Sequence, residues 1–293
     1  MVHGLDKAVP PPADVAKALL DRIGGVWWNV YIGGPRATHR WKPADVAAYR
    51  AQGIEHFLLT YVGRQQNDVS LLNPTQGGKD GEAACQLVAE FGFGAGTPVF
   101  LDLEMGTFNT APSASLDYVE GWCAAVRRKG LRPGVYANPK PLEALAERDR
   151  KPDFVWIAHF RHNGHEPQAD ANAAHAAGGP GLPAHLWQGR RAWQYAGDIQ
   201  FHGHQVDFDV TTADSGCLTG SPSPDRVAHP TDTEEDMFTF STAGKPVFFV
   251  AGGKAVGLNS ANDLQAIRNA VRDLPHFNLD GDTFEQFLRT YRD

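Results

Sequence analysis

The chain has 293 residues, 42% of them hydrophobic and 10% aromatic, with a formal net charge of −7. That length allows one large domain, or one with a small appendage, and the apolar content supports a full core rather than general disorder. The acidic balance excludes a nucleic-acid partner, which wants a basic face, and no apolar run approaches the ~18 residues of a membrane span.

The opening residues, Met1-Val-His-Gly-Leu-Asp6, have neither a basic region nor a long apolar stretch, so no signal peptide is visible. Gly4–Ala8 reads as a short strand ending in an acid, followed by a helix from Asp14 to Ile23 that Gly24-Gly25 stops. Val26–Ile32 is a second strand. Pro43 opens a helix to Gln52, in the first-turn position proline favours. Ile54–Val62 is a third strand, then a loop through Gln76 and a helix near 81–91.

Pro98-Val-Phe-Leu-Asp-Leu-Glu-Met105 is the stretch around which the rest is arranged. Its β-branched and aromatic residues predict a buried strand, and two acids, Asp102 and Glu104, interrupt its end. Side chains at i and i+2 leave a strand on one face, so the two carboxyls project together, roughly 7 Å apart. At the carboxyl end of a central strand that pattern marks chemistry, the end where parallel α/β folds keep their sites.

A helix over 113–129, a strand over 130–137, a helix over 141–148 and a strand over 154–160 continue the alternation. Residues 161–183, rich in Gly, Ala, His and Pro, read as a long functional loop. Trp193–Tyr195 and Gln205–Val210 are the last two strands. Eight strands alternating with helices in about 210 residues predict an α/β fold, a (β/α)8 TIM-type barrel with its final helices shortened or missing. A doubly wound sheet is the alternative, weakened because no GxGxxG follows the first strand. The predicted barrel spans 1–214. Residues 215–235, dominated by Gly, Ser, Pro, Thr and Asp, read as a linker. Residues 236–293 read as a small α+β domain with strands at 237–241, 246–250 and 254–258, and helices at 262–272 and 283–291. Asp280 or Asp282 is placed to cap the second helix.

Three cysteines, Cys85, Cys123 and Cys217, lack CxxC spacing, which excludes a disulfide framework and a zinc ribbon. Cys85 and Cys123 fall on neighbouring predicted helices, where pairing is the alternative to buried free thiols. His159, His162 and His165, and the pair His202 and His204, read as solvated histidines rather than zinc ligands.

Barrel closure sets the first and last strands side by side, so Asp6, Asp207 or Asp209, and the Asp102/Glu104 pair converge on one mouth. Crowding like charges is costly and needs a reason: a glycosidase acid/base pair, whose pKa values the crowding separates, or a divalent cation. Tyr31, Tyr61, Tyr136, Trp156, Trp193 and Tyr195, near strand ends, suit the apolar face of a sugar or else packing of the barrel itself.

Gly4-Leu-Asp6, Asp102-Leu-Glu104, Pro133-Gly-Val-Tyr136, Trp156-Ile-Ala158, Trp193-Gln-Tyr195 and Val206-Asp207 occur in the order seen in family 25 glycoside hydrolases, the lysozyme-type muramidases. Val30-Tyr-Ile-Gly-Gly-Pro35, Tyr61-Val-Gly63 and Asp207-Phe-Asp209 resemble more closely the related actinobacterial and phage group of glycoside-hydrolase-like (DUF1906-type) domains. The resemblance covers residues 3–212. It implies that Glu104 is the proton donor, Asp102 and Asp6 line the sugar subsite, and Asp207 is the last-strand acid. Asp209 stands where the muramidases usually carry Asn. The function implied is hydrolysis of peptidoglycan, as a phage lysin or virion component working outside the cell. No cofactor is called for. A catalytically silent glycan-binding or structural module of a phage tail is the alternative, and a metal-dependent enzyme a distant third. In either leading case the partner is a cell-wall glycan, with virion or tail proteins engaged through the carboxy-terminal domain.

Overall fold

A computed structural model describes residues 1–163 and 170–219, and beyond them the backbone of four short strands between 238 and 278. The chain divides into two compact units, Met1–Pro224 and Asp225–Asp293. In the first, strands β1 (Val2–Asp6), β2 (Trp27–Gly33), β3 (His56–Val62), β4 (Pro98–Asp102), β5 (Arg132–Ala137), β6 (Phe154–Asn163), β7 (Arg191–Phe201) and β8 (His204–Thr211) close in sequence order into a barrel. Helices α1 (Ala13–Ile23), α2 (Pro43–Ala51), α3 (Pro74–Glu90), α4 (Met105–Thr110), α5 (Pro112–Arg128), α6 (Pro139–Ala146) and α7 (Ala171–Ala176) fall between the strands. The expected α/β barrel is present.

Its closure departs from an all-parallel barrel. β1 to β7 are parallel neighbours, whereas β8 is antiparallel to both β7 and β1. The cause is local. Phe201 pairs with His204 across a two-residue turn in which His202 (φ 47°) and Gly203 (φ 83°) are both left-handed, the hairpin geometry that matches strand twist. A parallel return needs a dozen or more residues, so this turn removes the crossover helix between β7 and β8. It also separates the two histidines: His202 is in the turn and His204 opens β8, so they do not share a strand face.

Two helical predictions shift. α3 begins at Pro74 rather than near 81, with the Asn73 side chain accepting from Gln76 N (2.9 Å). Glycines in its first turns hide it from propensity, and packing explains them. A Cβ on Gly77 would lie 2.1 Å from Tyr118 O on α5, and one on Gly121 of α5 would lie 2.1 Å from Pro74 O. Glycine here lets two helix backbones touch. α4 was not expected at all, because β4 ends at Asp102 and the chain turns at once into a helix. The expected loop 161–183 starts as a continuation of β6 and carries α7, whose Ala171 and Ala174 are buried. The three cysteines are free thiols, with Cys123 and Cys217 buried.

Two apolar layers hold the barrel. One lies between strands and helices. The other fills the interior with Trp27, Leu58, Phe100, Phe154, Trp156 and Ala192. Cys217 and Leu218 join this inner cluster, which corrects the predicted start of the linker at 215. Residues 215–219 close the lower end instead: Thr219 N donates to Phe57 O (2.7 Å), and Phe57 N donates to Thr219 Oγ1 (3.0 Å). In the second unit β9 (Phe238–Ser241), β10 (Phe248–Ala251) and β11 (Lys254–Gly257) form an antiparallel set near the predicted strands. β12 (His276–Asn278), not predicted, runs parallel to β9. The predicted helices at 262–272 and 283–291, with their Asp280 or Asp282 cap, lie outside the described residues, as does His165.

Gly4 shows how tightly the interior is filled, since a Cβ there would sit 2.1 Å from Trp27 Cε2. Gly4→Ala is expected to destabilise the barrel by about 1–3 kcal/mol through overpacking. Urea unfolding checks this, and an unchanged midpoint would mean that Trp27 has room to move.

Candidate active site

Strand parity decides which side chains reach the interior. On β2, Trp27 belongs to the inner cluster, so Asn29 and Tyr31, two and four residues on, face the same way. By the same alternation Thr60 follows Leu58, Asp102 follows Phe100, Tyr136 follows Gly134 and Gln194 follows Ala192. β1 and β8 add Asp6 and Asp207, paired in register, and Asp209 opposite Gly4. Asp207 lies near the start of its strand, not the end predicted for it. Because β8 is reversed, that start is at the carboxyl end of β1, and the acids still meet.

Hydrogen bonds join these residues. Asp6 accepts from Asn29 Nδ2 (3.0 Å), Tyr31 OH (2.9 Å) and Gln194 Nε2 (3.0 Å). Thr60 Oγ1 donates to Asn29 Oδ1 (2.5 Å), and Tyr136 OH to Gln194 Oε1 (2.7 Å). Gln194 Nε2 also reaches Asp207 Oδ2 (3.3 Å), bridging the two aspartates. A bulge in β7 with Asp198 left-handed (φ 57°) turns its N–H onto Asp207 Oδ1 (2.6 Å). Deeper, Trp156 Nε1 donates to Asp209 Oδ1 (2.7 Å). These donors are all neutral.

Burial of carboxyls without a cation favours their protonated forms. Asp102 is raised to about 8, first by desolvation and then by the charges of Glu104 and Asp6. Its Oδ1 is shielded from solvent and has no hydrogen-bond partner among the described residues. Asp207 and Asp209 are also pushed up, by burial and then by the Asp6 charge. Asp6 is pushed up by burial too, but its three side-chain donors oppose the shift. The donors favour the charged form of Asp6, while Asp102, with no donor at its Oδ1, holds a proton at neutral pH. Asp6, Asp207 and Asp209 titrate as a set rather than residue by residue.

Three site expectations are corrected. Glu104, the proton donor that the resemblance implies, is exposed, one residue past the strand-flanking Leu103 and at the amino-terminal cap of α4, and Asp102 is the more buried of the two. Tyr61 belongs to the outer layer, where Asp80 of α3 acts on it. Tyr195 also lies in the outer layer, against Trp193 (5.7 Å between rings) and Phe208 (6.3 Å). Both tyrosines have the wrong parity for the mouth, as does Trp193. Tyr31, Tyr136 and Trp156 have the right one, with Tyr136 tilted over Trp156 at 4.5 Å. Asn29, Thr60 and Gln194 went unread. Their signal was a polar residue at an inward position of an otherwise apolar strand. A cleft of about 620 Å³ lined by Arg127, Asp153, Trp187 and Arg190 opens at the amino ends of β6 and β7. It is at the pole away from the acids, so charge rather than volume marks the site.

A barrel with carboxyls gathered at its strand ends is the arrangement of a glycoside hydrolase-like domain. The chain belongs to that class through one family: residues 25–214 match the Rv2525c-like, glycoside hydrolase-like domain. Solved structures with the same fold include a B. stearothermophilus protein (17% identity, 74% of this chain and 100% of that one, TM-score 0.54). The Mycobacterium tuberculosis Tat-secreted protein Rv2525c in complex with L-tartrate is similar over 72% of this chain and 95% of its own (15% identity, TM-score 0.50). The catalytic domain of endolysin ply40 from bacteriophage P40 of Listeria monocytogenes is similar over 74% and 95% (16% identity, TM-score 0.50). No curated protein sequence matches the chain. Among the described residues no helix is long and apolar enough to cross a membrane.

The raised carboxyls make stability pH-dependent. A carboxyl whose folded pKa exceeds its unfolded value of about 4 contributes stability below that value and loses it as pH rises through the folded pKa. The melting temperature is expected to fall between pH 4 and pH 8, the last part as Asp102 ionises near 8. Calorimetry across that range checks it, and Asp102→Asn should flatten the upper part of the curve.

Proposed function

We propose that this protein hydrolyses a cell-wall glycan, with peptidoglycan as the substrate and its β-1,4 bonds as the point of cleavage. The observation that carries the reading is Asp102 at the end of β4, its Oδ1 shielded and without a donor among the described residues, beside the exposed carboxyl Glu104; burial and then the Glu104 charge push Asp102 up to about 8. Separated pKa values in adjacent acids are how glycosidases assign acid and base roles. A sugar seated over the mouth excludes water from Glu104. The proton held by Asp102 then passes to Glu104 and on to the leaving glycosidic oxygen. As the glycosidic C–O bond breaks, water bonds to the anomeric carbon and gives its proton to ionised Asp207, which is half-buried and bridged to Asp6 through Gln194, while Tyr31 and Tyr136 present ring faces to the sugar.

Work on a cell wall places the protein outside the cell or on a virion. A phage lysin fits the endolysin-like fold, and the second unit is the part proposed to grip a virion or tail protein. Exposure of Glu104 favours a second reading, a silent glycan-binding module, because an acid left in solvent is not preorganised for proton transfer.

Release of reducing ends from actinobacterial cell walls tests the proposal. Glu104→Gln should lower the rate on the order of 10²–10⁴-fold, the usual cost of losing a general acid, with glycan binding kept. Wild-type turnover should fall as pH rises through about 8, where Asp102 loses its proton. Equal release by wild type and Glu104→Gln sinks the hydrolase reading, and pull-down of cell wall by both then supports the binding module. Deletion of residues 232–293 is expected to leave barrel melting unchanged while partner binding is lost. Collapse of the shortened chain on melting would make the tail part of the core.

A further inference from the structure

Gln65 stands three residues beyond Val62, the end of β3, on the segment facing the acid-bearing turn. Its carboxamide makes three contacts there. Nε2 donates to Asp102 O (3.2 Å), while Oε1 accepts from Glu104 N (3.2 Å) and from Thr107 Oγ1 (2.8 Å). The orientation is forced: a flipped amide would set oxygen against the Asp102 carbonyl and a donor against the Glu104 N–H. One side chain therefore ties the last residue of β4, the acid that follows it and the first turn of α4.

The segment carrying Gln65 is itself held. Gly63 N donates to Asp102 O (3.0 Å). The next residue, Arg64, binds buried Asp80 through Nε (3.0 Å) and Nη2 (3.3 Å). Tyr118 OH (2.7 Å) and Gln76 Nε2 (2.9 Å) complete the carboxylate of Asp80. A rigid mount of this kind is needed where one carboxyl must stay close enough to another to disfavour its ionisation.

We infer that Gln65 is a positioning residue that holds Glu104 beside Asp102 at the mouth of the barrel. The inference deepens the hydrolase reading and rests on it for its purpose, but its geometry does not depend on turnover. Freed from Gln65, Glu104 and exposed Met105 would turn away from Asp102, pivoting on Leu103, whose N–H donates to Tyr136 O (3.3 Å).

The test is a titration of Asp102 by carbon-13 carboxyl NMR on the full chain, with Asp102→Asn to assign the signal. Other titratable groups around Asp102 are Glu104 on the α4 turn, Asp6 on β1, Tyr31 on β2 and Tyr136 on β5. Gln65→Leu keeps the bulk and removes all three bonds. It should lower the Asp102 midpoint toward that of Glu104→Gln, since both take the like charge away. Loss of polarity alone would move the midpoint upward, so the direction separates positioning from a structural effect. In the double variant Gln65→Leu should add no further lowering. An unmoved or raised midpoint in Gln65→Leu, or full additivity in the double variant, overturns the inference and leaves the hydrolase reading intact. A lowered midpoint stands even where no reducing ends are released. Should Gln65→Leu fail to fold, Thr107→Val removes one contact to Oε1, and a smaller shift in the same direction is required of it.

Discussion

Closure of the barrel by a reversed last strand is the constraint on which the rest depends. A two-residue turn of left-handed His202 and Gly203 sends β8 straight back along β7, and β8 then pairs with β1 along its length. Were β8 parallel, Asp207 near its start would lie at the floor of the barrel, far from Asp6. Reversed, it lies opposite Asp6 with Gln194 reaching both. The same reversal leaves the lower end without a crossover helix, and Cys217, Leu218 and Thr219 cover it instead. One turn thus sets both the content of the mouth and the sealing of the floor.

The second constraint is the cost of burying carboxyls together. The barrel meets it with neutral donors unequally shared. Asp6 receives three side-chain hydrogen bonds and Asp209 one from Trp156, while Oδ1 of Asp102 receives none from the described residues. Donors favour the charged form and desolvation the neutral one, so ionisation is directed toward Asp6 and a proton is kept on Asp102. This gradient arises from Asn29, Thr60, Tyr136 and Gln194, residues that carry no charge themselves. Fold likeness to solved structures at 15–17% identity speaks only to architecture. The distribution of donors is what gives this chain's site its chemical character.

Much of this was legible along the chain. Alternating apolar runs and capping signals predicted eight strands in a closed barrel, and a carboxyl at the end of each of three strands predicted one acidic mouth. Asp6 and Asp102 reach that mouth as strand ends, whereas Asp207 and Asp209 join them only because β8 runs in reverse. Parity was legible too, but only once strand limits are known. Tyr61 and Tyr195 sit one residue off the inward phase, and a single-residue step sends a side chain to the opposite layer.

Tertiary structure alone decided the remainder. β4 ends at Asp102 because the chain turns there into α4, a turn that Gln65 holds from the segment after β3, so Glu104 is exposed and Asp102 is the acid at the strand end. The glycines of α3 weaken its signal as a helix, yet contact with the α5 backbone makes them fitting. The direction of β8 was written in a two-residue turn too short to notice beside longer runs. Composition and period determine which residues form strands and helices, and hence the class of fold. Burial and hydrogen-bond partners come from residues far apart in sequence, so only the folded barrel determines which carboxyl keeps its proton.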